Sequence, residues 1–156
     1  MLTRRIARPL MAGIFITGGI DVLRNPGPRV KRAEPVLNSL SENLPVSDDP
    51  EQLVKLNGVV HIAFGSLLAL NRLPRLSAAV LAASLVPTTA GGHRFWEEED
   101  PQAKKMQQTH FLKNLAILGG LIIAATDTEG APSLSWRAKR AARRARKKAS
   151  EALPVG

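Results

Sequence analysis

The chain has 156 residues, 44% of them hydrophobic, no cysteine and a formal net charge of +9. That length allows one compact domain or a small membrane bundle. The missing cysteines exclude a disulfide scaffold, a thiolate nucleophile, a Cys-held iron–sulfur cluster and a zinc ribbon. The excess of 22 Lys+Arg over 13 Asp+Glu points to an anionic partner, either nucleic acid or a membrane surface.

Four stretches carry no Asp, Glu, Lys or Arg: 9–20, 56–71, 76–93 and 114–126. A spanning helix needs about 20 largely apolar residues. Arg8, Arg24, Arg72, Arg75 and Lys113 lie at the stretch edges, where long side chains snorkel toward headgroups. With these ends included, the pattern predicts spans at about 6–24, 53–72, 74–92 and 108–127.

The chain starts with a basic, then apolar, segment that has the outline of a secretory signal. No small-x-small cleavage site follows, so it reads as an uncleaved first span, with Pro9 early in the helix where its missing N–H costs little. Residues 25–50 are rich in Pro, Ser, Asn and Asp, and 33–43 is expected as a short helix lying on the membrane surface. Span two places Asn57, His61 and Gly65 on one face at four-residue spacing. A tight turn, Asn71-Arg72-Leu73-Pro74-Arg75, leads to span three, whose segment SAAVLAASLVPTTA lacks a charged face. Pro87 is expected to end or kink that helix. Glu97-Glu98-Glu99-Asp100-Pro101 reads as a solvated turn or helix start, and LAILGGLIIAA in span four is apolar all round. So small a chain cannot bury several such helices in protein, so they belong in lipid. Small residues four apart (Gly13/Thr17, Ala78/Ala82, Ala79/Ala83, Ala116/Gly120) are expected to let helix backbones approach. The expected architecture is an all-α, four-transmembrane-helix bundle over 1–127 and a basic tail over 128–156.

Four spans put both termini on one side. That side holds 13 Lys/Arg, whereas nine on the other are matched by nine acids. The positive-inside rule therefore predicts a multi-pass protein of the cell membrane with cytoplasmic termini, and Trp96 and Trp136 at opposite interfaces. The same topology gathers Asp21, Asn57, His61, His93, Arg94, Trp96, His110, Lys113 and Asn114 in the outer half. Lys113 or Arg94 is the expected partner of Asp21. Ionisable groups at this depth are paired or functional. The cluster fits either a network that fixes helix register or a headgroup-sized site. No His-x-x-His or Glu-x-x-His spacing supports a three-histidine metal site, so no metal is expected.

Within 136–150 the tail carries Arg137, Lys139, Arg140, Arg143, Arg144, Arg146, Lys147 and Lys148 and no acid. Each Lys/Arg near anionic lipid contributes about 1 kcal/mol, so anionic headgroups are the expected partner. The tail lacks interleaved aromatics and any recognition module, which argues against nucleic acid.

HRFWEEEDPQAKKMQQTHFLKNLAILGGLIIA, at 93–124, resembles the C-terminal half of the DoxX family of small bacterial membrane proteins, with FLKNLAILGG its most specific part. RPLMAGIFITGGIDVLRNP, at 8–26, resembles that family's first span. The resemblance covers roughly 5–127 and implies a four-helix membrane protein associated with redox and oxidative-stress functions. The family takes its name from a membrane subunit of a thiosulfate:quinone oxidoreductase. Trp96, Phe111, Lys113 and Asn114 match motif positions without acquiring roles from them. The resemblance implies a subunit, with no catalytic residues assigned, that binds a quinone-like molecule or docks a redox-protein partner. The contrasting expectation is a non-enzymatic anchor whose tail binds lipid or an acidic cytoplasmic partner. Without cysteine, the chain itself does no thiol or persulfide chemistry. Its oligomeric state is not encoded in these patterns.

Overall fold

A computed structural model describes residues 2–41, 49–128, 130, 136 and 139–146, with the backbone alone for 35–41. Among the described residues all regular structure is helical. The helices are α1 (Leu2–Arg24), α2 (Gly27–Ser41), α3 (Pro50–Ala69), α4 (Pro74–Gly92) and α5 (Pro101–Thr126), with a 3-10 turn at Phe95–Glu97. Met1–Thr126 and Asp127–Gly156 form two separate compact units. Among the described residues, three helices are long and apolar enough to cross a membrane: α1, α3 and α5. α4 has 19 residues but is not among them.

Local chemistry sets the helix starts. Asp49 caps α3, its Oδ1 accepting from the amides of Glu51 (2.9 Å) and Gln52 (3.4 Å), and Pro50 follows in the first turn. Asp100 does the same for α5, its Oδ2 accepting from Ala103 N at 2.7 Å before Pro101 opens the helix. A cap oxygen satisfies amides that have no partner within the helix, and proline's fixed φ suits the first turn. The end of the EEEDP run is thus a helix start, as its sequence suggested. α3 ends on paired bonds, Asn71 N to Leu68 O and Arg72 N to Leu67 O, with Asn71 left-handed at φ 57°. Asn tolerates that conformation. Leu73, at φ 46° in the same turn, is a strained position for an L-residue.

The Pro9 expectation needs correction, as does the first of the two outcomes expected of Pro87. α1 begins at Leu2, so Pro9 lies inside it and removes a bond to the Arg5 carbonyl. Pro87 does not end its helix, which runs on to Gly92. The proline removes the bond to the Ala83 carbonyl, and Thr88 Oγ1, on the next residue, donates to Ser84 O at 2.7 Å.

The bundle packs α1 against α3, α3 against α4 and α4 against α5, with α2 lying over α3 and α4. One end holds a continuous apolar core: Ala12 and Phe15 from α1, Leu68 from α3, Ala78, Leu81 and Leu85 from α4, Leu121 and Ala124 from α5. Arg8, 3% exposed, reaches across that end to hydrogen-bond Asn71 Oδ1 in the α3–α4 turn. It is not the snorkelling edge residue that the sequence suggested. Arg75 Nε donates to Ala125 O at 3.1 Å, so a cation meets the C-terminal carbonyls of α5. The outer faces stay apolar; Leu10 is 75% and Ile123 71% exposed. Those faces make contact with the lipid bilayer.

The close helix crossing is α1 on α3. A Cβ added at Gly19 would lie 2.6 Å from Gly58 O, and one at Gly58 would lie 2.9 Å from Val22 Cγ1. Gly65 meets Ile16 and Phe15 two turns along. The small residues that matter here recur at seven (Ala12/Gly19, Gly58/Gly65), not at four. Of the expected pairs, Ala78/Ala82 packs into the core and Gly120 meets Met11 Sδ, whereas Ala79, Ala83 and Ala116 face outward and Gly13 has nothing within 4 Å.

This crossing predicts opposite outcomes for two glycines on one helix. Gly19→Ala should destabilise the bundle by about 1–3 kcal/mol through overpacking against rigid backbone. Gly13→Ala should leave stability unchanged or raise it, because alanine favours helix. Unfolding midpoints in mild detergent give the comparison; equal effects at both positions would contradict the crossing.

Candidate functional site

The expected polar cluster divides into two sets. The first is a ladder between helices, centred on α4. Ser84 Oγ donates to Leu81 O (3.0 Å) and Thr88 Oγ1 to Ser84 O (2.7 Å), so each hydroxyl proton is committed to its own helix. Their oxygens remain as acceptors toward α3. His61 Nε2, 3.0 Å from Ser84 Oγ, is therefore the protonated nitrogen and donates. Asn57 Nδ2 donates to Thr88 Oγ1 at 3.4 Å. From the other side Asn114 Nδ2 donates to Thr89 Oγ1 at 3.1 Å. The two α3 contacts lie one turn apart on both helices, as antiparallel register requires. Phe15 of α1 meets the His61 ring edge-on, with centroids 5.2 Å apart. Among the described residues, no buried side-chain polar atom lacks a partner.

The second set gathers where α1 and α4 end and α3 and α5 begin. Asp21 pairs with Arg29 of α2 at 2.5 Å. The expected pairing with Lys113 or Arg94 does not occur, because α2 brings a nearer guanidinium to the same end of the bundle. Arg94 instead pairs with Glu97 at 2.9 Å, three residues on. Lys113 Nζ lies 3.4 Å from His110 Nδ1. The His110 ring stacks on His93 with centroids 5.3 Å apart. His93 Nδ1 donates to Gln107 Oε1 at 2.8 Å, because an amide oxygen only accepts. Phe95, Trp96 and Phe111 form a cluster of edge-on rings 5.2–6.1 Å apart beside the histidine pair. Trp96 remains 52% exposed.

An open recess of 320 Å³ lies next to them, between α2 and the α4–α5 connection. It is lined by Lys31 and Arg32 of α2, by Gly91 and Gly92 at the end of α4, by Arg94, Glu97 and Glu98 of the connection, and by Gln107 of α5. Of the expected residues only Arg94 enters this lining. Lys31, Arg32, Glu97, Glu98 and Gln107 were not among the candidates. A signal was available: the basic run Arg29–Arg32 and the acidic run Glu97–Asp100 fall on the same side in the expected topology.

In the second compact unit, 139–146 is helical and Trp136 carries the Arg140 guanidinium 4.8 Å above its ring. Lys139, Arg140, Arg143, Arg144 and Arg146 are all exposed. The other tail candidates, Arg137, Lys147 and Lys148, lie outside the described residues.

A family model, DoxX, matches residues 4–94. That match takes in α1, α3, α4 and the recess cations of α2, and it stops at Arg94. FLKNLAILGG, the piece of sequence with the most specific resemblance, lies beyond it. No curated protein and no solved structure matches the chain.

The α4 ladder is testable by deletion of one acceptor. Ser84→Ala leaves the buried His61 N–H without a partner and should cost about 1 kcal/mol. Combined with His61→Leu, the loss should fall short of the sum of the single losses, since the two residues share one bond. Strict additivity of the unfolding free energies would show that the pair does not bond.

Proposed function

This chain belongs to the DoxX family, and from that premise we propose a four-span membrane subunit that serves a redox system. In this reading α1, α3, α4 and α5 all cross, and both termini are cytoplasmic. The α4 ladder supports the fourth span. A helix bonded on one side to α3 and on the other to α5 shares their depth. The subunit binds a quinone-like headgroup, or docks a redox protein, at the end of the bundle that carries Asp21.

The observation that carries this reading is the placement of two donors, His110 and Lys113, near the Phe95–Trp96–Phe111 rings, with His93, whose N–H is committed to Gln107, stacked on His110. A quinone needs a flat apolar surface for its ring and N–H donors for its carbonyl oxygens, and this corner has both. His61, Asn57 and Asn114 already make helix-to-helix bonds, so their part is to hold the corner in place. With neither cysteine nor tyrosine, the chain contributes hydrogen bonds and protons. Electrons pass between the quinone and a partner protein.

The exposed basic helix at 139–146 supports a second reading, an anchor that holds anionic lipid or an acidic partner through its tail. The two readings separate experimentally. Decylubiquinone titrated into the detergent-solubilised chain should quench Trp96 fluorescence in a Trp136→Phe background. Lys113→Ala and His110→Ala should each weaken binding about tenfold, the worth of one strong hydrogen bond. Unchanged affinity in both variants sinks the quinone reading. Loss of anionic-vesicle or partner capture on deletion of 136–156, with quinone binding absent, favours the anchor.

Topology is checked by cysteine labelling, which the cysteine-free background makes clean. Glu99→Cys should react with an impermeant reagent from outside the cell, and Arg140→Cys only after lysis. External labelling at 140 overturns the orientation.

A further inference from the structure

The recess beneath α2 combines two kinds of charge. Lys31 and Arg32 stand on one wall; neither forms an ion pair among the described residues. Glu98 stands on the connection and is likewise without an ion pair there, and the Arg94–Glu97 pair also lines the recess. Gln107, 7% exposed, lines the floor and is held by its bond to His93. The volume of 320 Å³ is about ten times one water's share of the liquid. A simple anion site would not place carboxylates in its wall, because they repel the ligand. A simple cation site would not carry Lys31 and Arg32. The arrangement complements a ligand with a negative and a positive end.

The surroundings narrow the ligand further. The recess opens at the end of the spanning helices, beside Phe95 and Trp96, where aromatic side chains mark the membrane–water interface. The same two helices also carry exposed apolar side chains: Leu112 is 58% exposed on α5 and Val86 54% exposed on α4. They suit acyl chains. We propose that the recess binds the headgroup of a phospholipid bearing a primary amine, of the phosphoethanolamine type. Lys31 and Arg32 hold the phosphate, with the outer edge of Arg94 beside it. Glu98 and the free oxygen of Glu97 accept N–H bonds from the ammonium group. A trimethylated head has no N–H to donate, so phosphocholine is disfavoured. A phosphoglycerol head leaves Glu98 facing an uncharged group. This inference rests on the membrane assignment and not on the redox reading.

The test is native mass spectrometry of the full chain, delipidated and then titrated with short-chain phosphatidylethanolamine, phosphatidylcholine and phosphatidylglycerol. Phosphatidylethanolamine should bind about tenfold more tightly than either of the others, the discrimination given by one charge-assisted bonding partner. Lys31→Ala/Arg32→Ala should weaken all three lipids. Glu98→Gln should remove the preference for the amine and leave phosphate binding in place. All three positions are at the surface, and an unchanged unfolding midpoint confirms that each variant is folded. Equal or tighter binding of phosphatidylglycerol would show an anion site alone and overturn the proposal, as would parity with phosphatidylcholine. Indifference to the Lys31/Arg32 double variant would also overturn it. Displacement of the lipid by free phosphoethanolamine at the same concentration would assign the recess to a soluble ligand. Decylubiquinone binding, measured on the same samples, reports on the redox reading separately.

Discussion

Three hydroxyl groups on α4 organise this bundle. Between helices in lipid there is no hydrophobic effect to supply specificity, so packing and hydrogen bonds must set which helix meets which, and at what register. Ser84, Thr88 and Thr89 do this from one helix. Two of them send their protons back to carbonyls of α4 itself and offer their oxygens outward. α3 and α5 answer with His61, Asn57 and Asn114, all as donors. A helix of acceptors between two helices of donors has one good alignment. Slipping α3 by a turn would carry either His61 to Thr88 or Asn57 to Ser84 and leave the other donor without its hydroxyl.

α4 is not among the helices long and apolar enough to cross a membrane. Its serines, threonines and Arg75 lower its apolar score, although the polarity of the hydroxyls is largely satisfied by backbone carbonyls and neighbouring side chains. The expectation of a span here rested on the absence of charge over 76–93. Helix starts were legible for a different reason. Asp-Pro at 49–50 and again at 100–101 encodes a cap and a first turn within a few residues, with no tertiary information needed. Contacts that cross helices were harder. The partner of Asp21 is Arg29, eight residues on in sequence, because α2 turns back over the bundle. No pattern in 25–50 fixed the direction of that return. Likewise the tight α1–α3 crossing uses glycines seven apart, two helical turns, which a search at four-residue spacing passes over.

The expected topology gathered the candidate residues toward one end of the bundle but could not divide them. The side chains that reach between helices are internally satisfied, whereas those on the α4–α5 connection border open space. That division is physical. A donor matched by a fixed acceptor inside a bundle has little left to offer a ligand. The basic side chains of α2, by contrast, meet carboxylates of the connection across a gap rather than in contact. Their separation keeps their charge available.

The bundle is also lopsided along its length, with a continuous apolar core toward Arg8 and a polar recess toward Asp21. A voltage across a membrane falls mostly over the low-dielectric part of the path. In this protein the steep part of that fall lies across the core of Phe15, Leu68, Leu81 and Leu121. Charges gathered in the recess sit at nearly the potential of the adjacent aqueous phase. On the proposed reading of the recess as a headgroup site, ligand charge taken up there traverses almost none of the field. Exchange at that mouth is then electrically silent, and its equilibrium is insensitive to whether the membrane is energised.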